Sequence, residues 1–583
     1  MERAAESVEI EWQFDALDLR PVERWLATLP TLSIDAAEQQ TVTALAKPPR
    51  RLVDSYLDTT DWRMARAGFV VRIRRRGRHD EITLKDTQSA GEGGLRQRLE
   101  VTEALPVAGV GALGPEGPVG RRVHAVAGTH ALREVLQVRT RRRPFALRVG
   151  GVDAAEVALD DTMIVVGGGQ RPMQLRRVEV EVQPEWLDAL EPVVQQLRLA
   201  CGLQPATLSK FEAGLLALGA DIPGPPDLGP TEITAEASVG DVAYAVLRRQ
   251  IAVLRAKEPG TRLGEDPEEL HDMRVATRRL RAALALFSDV LPVRAKTFRD
   301  EIGWMAGVLG TVRDLDVQLE AQETLAKSRP DGPLTDLTAL LERERADARS
   351  DMLAALDSSR WERLLSGMST MVQQGPPRRS LATRLPAAMA LPDLVNGTHT
   401  AVTKAARRAK RSGVASDFHR LRIRCKRLRY ALEFSAEIYS GRTKGFTKQL
   451  TALQDQLGRL QDNEVAAARL SELATGDAHL PASTIFVMGG VAEHHRLEMV
   501  RILGKLPKEV SRVGGKEWQV LAALMERQRA AAEALLPPVR QTLRALPPAP
   551  AVSPTEVEAP PATPMAALPP VDEPTVAGGD APT

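Results

Sequence analysis

Eight segments among the first 183 residues read as strands, most of them alternating apolar and charged side chains with a period of two, and this pattern limits the possible folds more than any other. They are residues 8–14, 51–57, 69–75, 81–85, 95–101, 137–149, 156–166 and 175–183, each read as a strand. In the first, VEIEWQF, Val8, Ile10, Trp12 and Phe14 share one face while Glu9, Glu11 and Gln13 share the other. The pattern recurs: Arg72, Arg74 and Arg76; Glu81, Thr83 and Lys85; Arg96, Arg98 and Glu100; Glu179 and Glu181; and, on alternate positions, Arg139, Arg141 and Arg143. A solvated sheet face would explain one such strand. Eight of them suffice to close a barrel, and helices around 22–28 and 185–201, packed outside, would take the apolar face. The charged face then points inward.

A dry interior of Arg, Lys and Glu is too costly, so such a barrel needs a charged occupant. Arg supplies forked donors and Lys a point charge, which together suit a chain of phosphates. Glu pairs at i, i+2 offer hard oxygens for Mg²⁺ or Mn²⁺ bridging those phosphates.

After residue 218 the text changes. GADIPGPPDLGP (219–230) breaks every pattern, and 219–235 is read as a linker. Residues 236–536 are helical and contain a repeat: HDMRVATRRLRAAL (271–284) matches HRLRIRCKRLRYAL (419–432), and LGTVRDLDV (309–317) matches LGRLQDNEV (457–465), both at an offset of 148. Each half places its His 39 residues before its Gly, His271 with Gly310 and His419 with Gly458. Residues 537–583, rich in Pro and Ala with no periodic apolar face, read as a disordered tail.

On a helical wheel, His271, Arg274, Arg278 and Arg281 form one stripe, and His419, Arg422, Lys426 and Arg429 repeat it. No acid lies within either stripe, so an external anion is expected to answer them; the competing explanation is pairing across the bundle with Asp314 and Asp316, or Asp462 and Glu464. The 78 basic and 76 acidic residues nearly cancel, so only such clustering can name a partner. Aromatics at 4% leave little for base stacking, which ranks nucleic acid below polyphosphate. Two cysteines, Cys201 and Cys425, and a charged N-terminus without an apolar signal core lead to the expectation of a cytoplasmic protein, with association with polyphosphate granules as an extension.

EIEWQ (9–13), YLDTTD (56–61), VRIRRR (71–76), ITLKD (82–86), RLE (98–100), VALD (157–160), VEVEV (178–182) and LSKFEAG (208–214) together resemble the CYTH superfamily of triphosphate tunnel metalloenzymes. The resemblance implies an eight-stranded antiparallel tunnel over residues 1–218 that binds a triphosphate with Mg²⁺ or Mn²⁺ and hydrolyses inorganic triphosphate or a relative. It assigns the metal to Glu9, Glu11, Glu179 and Glu181, with Glu100 and Asp160. Phosphates fall to Arg72, Arg74, Lys85 and Arg98, with Lys210, Arg141, Arg143 and Gln13 as further substrate-binding residues. Glu9, Glu11, Lys85, Arg72 and Arg74 form the catalytic set.

The family signature ExExK ends here in Gln13 rather than Lys. An amide still donates a hydrogen bond but brings no charge. The loss, about 1.5–3 kcal/mol, corresponds to one to two orders of magnitude in binding. A non-catalytic polyphosphate-binding protein is therefore the alternative, with a class IV-type adenylate cyclase behind it. The paired helical motifs resemble the CHAD domain, which implies two pseudo-symmetric helical bundles that bind polyphosphate through His271, Arg274, Arg278, Arg281, His419, Arg422, Lys426 and Arg429. The fold class expected overall is α+β, a β-barrel followed by an all-α domain.

Overall fold

The computed structural model describes residues 5–535 except 30–40, 77–78, 88–90, 106–112, 115–116, 166–171, 223, 329–334, 378–379 and 477–479. The expected tail and residue 166 of the seventh expected strand thus lie outside the described residues. No described helix is long and apolar enough to cross a membrane.

The N-terminal part contains β1 (Ala5–Asp15), β2 (Val42–Ala46), β3 (Arg50–Asp58), β4 (Phe69–Arg76), β5 (His79–Asp86), β6 (Leu95–Leu105), β7 (Arg133–Val149), β8 (Val152–Val165), β9 (Met173–Val182) and β10 (Gln204–Pro205). Pairing runs β1–β6–β5–β4–β3–β7–β8–β9 and returns to β1, antiparallel throughout. The eight expected strands therefore close into a barrel. Closure depends on β1, which pairs with β6 over Ala5–Trp12 and with β9 over Glu11–Asp15. The short β2 and β10, absent from the sequence reading, extend the sheet from β7 and β1.

The alternation places side chains as the strand period requires. Ile10, Trp12 and Phe14 face outward and pack with Val178 and Val180 against Val22 and Leu26 of α1 (Arg20–Ala27) and Leu190, Val193 and Leu197 of α4 (Leu187–Cys201). On the other side Met64 of α2 (Arg63–Arg66) and Val119, Val123 and Val126 of α3 (Pro118–Ala127) cover Val71, Ile73, Ile82, Leu84 and Val101. Trp12 and Phe14 are buried, so truncating either to Ala removes about 3–5 kcal/mol.

One stretch of the interior is apolar. Tyr56, Leu136, Val138 and Ile164, at inward positions, pack on Phe211, Ala213 and Leu215 of α5 (Lys210–Leu218). A reciprocal cap starts this helix: Ser209 Oγ accepts from the Glu212 N–H and the Glu212 carboxylate accepts from the Ser209 N–H. Gly214 permits the close approach, since a β-carbon there would lie 2.2 Å from Leu136. α5 thereby holds Lys210 against the charged part of the interior.

The helical part comprises α6 (Val239–Leu263), α7 (Pro267–Leu286), α8 (Ala295–Ser328), α9 (Thr335–Leu356), α10 (Ser359–Gln374), α11 (Leu381–Arg384), α12 (Ala387–Ser412), α13 (Ala415–Phe434), α14 (Lys444–Thr475), α15 (Ala482–Ser511) and α16 (Lys516–Ala534). Shifting α7 by the 148-residue offset reproduces the bounds of α13, and α6, α8 and α9 shift onto α12, α14 and α15 to within a few residues at either end except the C-terminus of α15. The repeat extends to the core: Met273, Leu280 and Leu284 correspond to Leu421, Leu428 and Leu432, and Ile302, Met305 and Leu309 to Leu450, Leu453 and Leu457, all in one cluster. Leu263 at the end of α6 packs on the α3 side of the barrel core.

Candidate functional site

Inside the barrel is a cavity of about 650 Å³ lined by inward residues of every barrel strand and by the start of α5. Its charges are interleaved. Lys85 Nζ donates to both Glu9 oxygens at 2.8 and 2.7 Å and lies 3.0 Å from Glu100. Arg98 bridges Glu9, at 2.9 Å from Nε, and Glu11, through Nη2. Arg74 forks onto Asp54 at 2.7 and 2.8 Å, whereas Arg72 only approaches Glu100, at 3.9 Å.

Burial opposes ionisation of Glu9, but Lys85 and Arg98 overcome it and hold its carboxyl at about 2. Asp54 follows the same logic: burial would raise it, and the Arg74 fork brings it down to about 2. Glu11 goes the other way, to about 7, because burial and the neighbouring Glu9 charge outweigh Arg98. Burial and Glu9 likewise raise Glu181.

A second group surrounds α5. Asp160, with no exposed surface, accepts from Arg142 at 2.9 and 2.7 Å and from Lys210 at 2.5 Å. Glu179 lies 2.6 Å from Arg142 and 2.7 Å from Lys210, whose charges keep it well below the carboxylate range despite its burial.

The structure gathers Glu9, Glu11, Gln13, Arg72, Arg74, Lys85, Arg98, Glu100, Glu179, Glu181 and Lys210 around this one cavity, as expected. It does not bring in Arg141 or Arg143. Arg142 lies opposite Asp160 in the sheet and its side chain turns inward, so its neighbours turn outward: Arg141 is exposed and Arg143 pairs with Glu23 of α1. Asp160 lies behind Arg142 and Lys210 rather than on the cavity wall. Arg142, Asp54 and Arg96 are among the interior residues that the sequence reading left without a role; the i, i+2 spacing of Arg96 to Arg98 was the available signal for one of them.

No three acids or His and Cys residues converge into a ready ligand set among the described residues. The donor chemistry nevertheless fits a hard cation. Glu11 faces Glu181 across the β1–β9 pairing, both are pushed toward protonation by burial and then by surrounding carboxylates, and a divalent cation would relieve the repulsive part. Glu9, Glu11, Glu179 and Glu181 line the cavity and fit such an ion, whereas Asp160 lies off its wall.

In the helical part the two stripes lie beside each other. Arg279 of α7 reaches Glu433 of α13, and Arg274, Arg278, Arg422, Lys426 and Arg429 share one electrostatic field. Arg281 extends it toward Arg424 and Arg427. His271 is half-buried and His419 exposed, the latter bonded to Gln461. Cross-bundle pairing answers part of the stripe, with Asp314 2.8 Å from Arg274 and Asp462 4.0 Å from Arg422, while Glu433, one turn further along α13 itself, lies 3.5 Å from Arg429. Asp316 instead pairs with Arg345, and among the described residues no ion pair reaches Arg278 or Lys426. Burial and then the surrounding guanidinium groups depress Lys426 to about 7.

Residues 27–215 match the family model of the CYTH domain, and residues 245–471 that of the CHAD domain. The chain carries a CYTH domain followed by a CHAD domain. Among solved structures it is similar to the CHAD domain from the plant Ricinus communis, at 30% identity over 54% of this chain and 98% of that one, with a TM-score of 0.39. It is also similar to PptA from Streptomyces chartreusis, at 20% identity over 47% of this chain and 99% of that one, with a TM-score of 0.39. A third, from Hippeastrum, is a cyclase-like protein described as having a dominant triphosphatase activity; identity is 15% over 37% of this chain and 98% of that one, with a TM-score of 0.25. Nothing among curated proteins matches. CYTH domains form a family of triphosphate-tunnel enzymes, typically dependent on a divalent metal, and the CHAD domain is associated with polyphosphate.

Proposed function

We propose that the CYTH tunnel hydrolyses inorganic triphosphate or a related triphosphate with Mg²⁺ or Mn²⁺, and that the CHAD face binds polyphosphate. The observation that supports this most is the cavity, where Arg72, Arg74, Lys85, Arg98, Arg142 and Lys210 alternate with carboxylates. Without an anion Asp54, Glu9, Glu11 and Glu179 each neutralise a neighbouring cation. An entering phosphate chain takes over that role and leaves Glu9, Glu11, Glu179 and Glu181 free for the divalent ion. When bound, that ion supplies charge neutralisation at the phosphoryl oxygens.

The residues of the chain do the rest. Arg72, only weakly paired, and Lys85 and Arg98, which sit between carboxylates, hold the phosphates in line by forked and point-charge contacts. Lys210, fixed by α5, closes on the chain from the plugged side of the interior. CHAD raises the local concentration of polymer near the tunnel by tethering alone.

Phosphate release from tripolyphosphate by the full chain with Mg²⁺ and with Mn²⁺, against Glu9→Ala, tests the assignment. Metal-dependent release lost in the variant is expected; absence of product with either metal overturns hydrolysis. Gln13 favours a second reading, in which the tunnel binds without turnover. Its amide donates to Glu11 at 2.8 Å where the signature has an ammonium.

A further inference from the structure

Arg96 of β6 is 4% exposed and lines the cavity, yet no carboxylate pairs with it among the described residues. Its Nη2 donates only to the backbone carbonyls of Ala206 and Thr207, at 3.3 and 3.4 Å, and its buried Nε has no partner. A guanidinium kept from water with neutral acceptors alone is a costly arrangement that an anion would relieve. The other cavity arginines Arg74, Arg98 and Arg142 each have a carboxylate. Arg96 differs from them.

Its position relates it to Gln13. Arg96 is the sheet partner of Glu11, so Gln13 lies two residues along on the adjacent strand, a diagonal neighbour. Both meet Ala206: its N–H donates to the Gln13 carbonyl at 2.9 Å and its carbonyl accepts from Arg96. Gln13 is 3% exposed, and its side-chain oxygen, like Arg96 Nε, is buried without a partner. The neutral amide thus stands next to the one cavity arginine left unanswered among those named.

We propose that Arg96 is a phosphate-binding residue of the tunnel and supplies the positive charge that is missing at Gln13. The inference rests on the triphosphate reading of the tunnel. A planar guanidinium reaching over from β6 delivers the charge that an ammonium on β1 would have carried, with Nε and an outer N–H directed at a phosphoryl group. Burial, and then repulsion from Arg98, lowers the pKa of Arg96, and a phosphate would oppose both effects while the guanidinium stays charged throughout.

The test is calorimetric titration of the full chain with tripolyphosphate in the absence of metal, in a background with Arg278→Gln and Lys426→Gln so that the helical face contributes less heat. Arg96→Gln is expected to weaken binding by about ten- to one-hundred-fold, the value of a hydrogen bond to a charged group. Adding Gln13→Lys to Arg96→Gln is expected to recover at least about tenfold, more than Gln13→Lys gives beside an intact Arg96. A purely structural role for Arg96 would not show that rescue. Arg96→Lys, which keeps the charge and is less exposed to a folding defect, should lose less than Arg96→Gln. Unchanged binding in Arg96→Gln, or a loss that Gln13→Lys does not recover, overturns the inference and leaves the triphosphate reading standing. A parent background that takes up no tripolyphosphate overturns both.

Discussion

Arg422 of α13 lies across Gly458 of α14, with its Nε and Nη2 3.8 Å from the point a β-carbon would occupy. Arg274 lies across Gly310 in the same way, 4.0 Å distant. This explains the paired His-to-Gly spacing of the two repeats: each stripe rests an arginine on a helix position that has no side chain. A mid-helix Gly costs about 1 kcal/mol relative to Ala, so its use at both equivalent places has a packing reason. The bare backbone leaves the guanidinium room to lie along the surface, next to Asp314 or Asp462.

The size of the substituent decides what happens at Gly458. A methyl group would meet Arg422 at ordinary contact distance, so Gly458→Ala is expected to gain about 0.5–1 kcal/mol of helix stability. Gly458→Leu fills the space and lifts the guanidinium away, lowering polyphosphate affinity by about tenfold, the value of one charge-assisted contact. Urea unfolding and polyphosphate calorimetry measure the two effects.

Lys426 gives the proposed polyphosphate face a pH dependence of definite sign. Burial and the guanidinium groups of Arg422 and Arg278 depress it from 10.5 to about 7, and a bound polyanion raises it again. Binding therefore takes up protons between about pH 7 and 10, and affinity falls as pH rises through that window. Folding has the opposite slope: the unfolded chain holds more protons there, so this group's contribution to stability increases with pH over the same range. Calorimetry in buffers of different ionisation enthalpy should show the proton uptake, and Lys426→Arg should flatten the dependence.

Much of the barrel was legible because its strands repeat one message. Glu9, Glu11 and Gln13 alternate with Ile10, Trp12 and Phe14, and only one assignment of faces buries the aromatics under helices. The same rule failed on β7, where Arg139, Arg141 and Arg143 make the outward phase the more basic one and the inward phase of that stretch carries Arg142 alone. The choice is made by pairing: Arg142 opposite Asp160 on β8 fixes which side of the strand faces in. The enclosure of Asp160 was hidden for a related reason, since VALD gives its strand position but not the two cations that surround it. β10, two residues long, has no period to read. The unpaired state of Arg96 depends on which groups surround it in space, and the sequence records only that it sits two residues before Arg98.

Adjacent arginines on β7 should therefore separate sharply. Arg142→Met removes a cation of the cavity and leaves Asp160 and Glu179 sharing Lys210 alone, so tripolyphosphate affinity should fall by about tenfold or more. Arg141→Met alters an exposed side chain on the outer face and should change affinity by less than about twofold. Equal losses in titrations of the two variants would show that the register of β7 is wrong.

Asp160 allows a test that separates a structural carboxylate from a metal ligand. It is completely buried and accepts from both Arg142 and Lys210. Asp160→Asn keeps the shape but removes the charge, which leaves two cations facing Glu179 alone; breaking a buried pair from one side costs about 3–5 kcal/mol. A phosphate chain would answer the same two cations. Saturating tripolyphosphate should then restore more stability to Asp160→Asn than to the parent, where ligand at one hundred times Kd adds about 2.7 kcal/mol. Mn²⁺ binding measured without anion should change little, because Asp160 is absent from the cavity wall. Loss of Mn²⁺ binding without loss of stability would assign Asp160 to the metal and contradict the arrangement of β8 against α5.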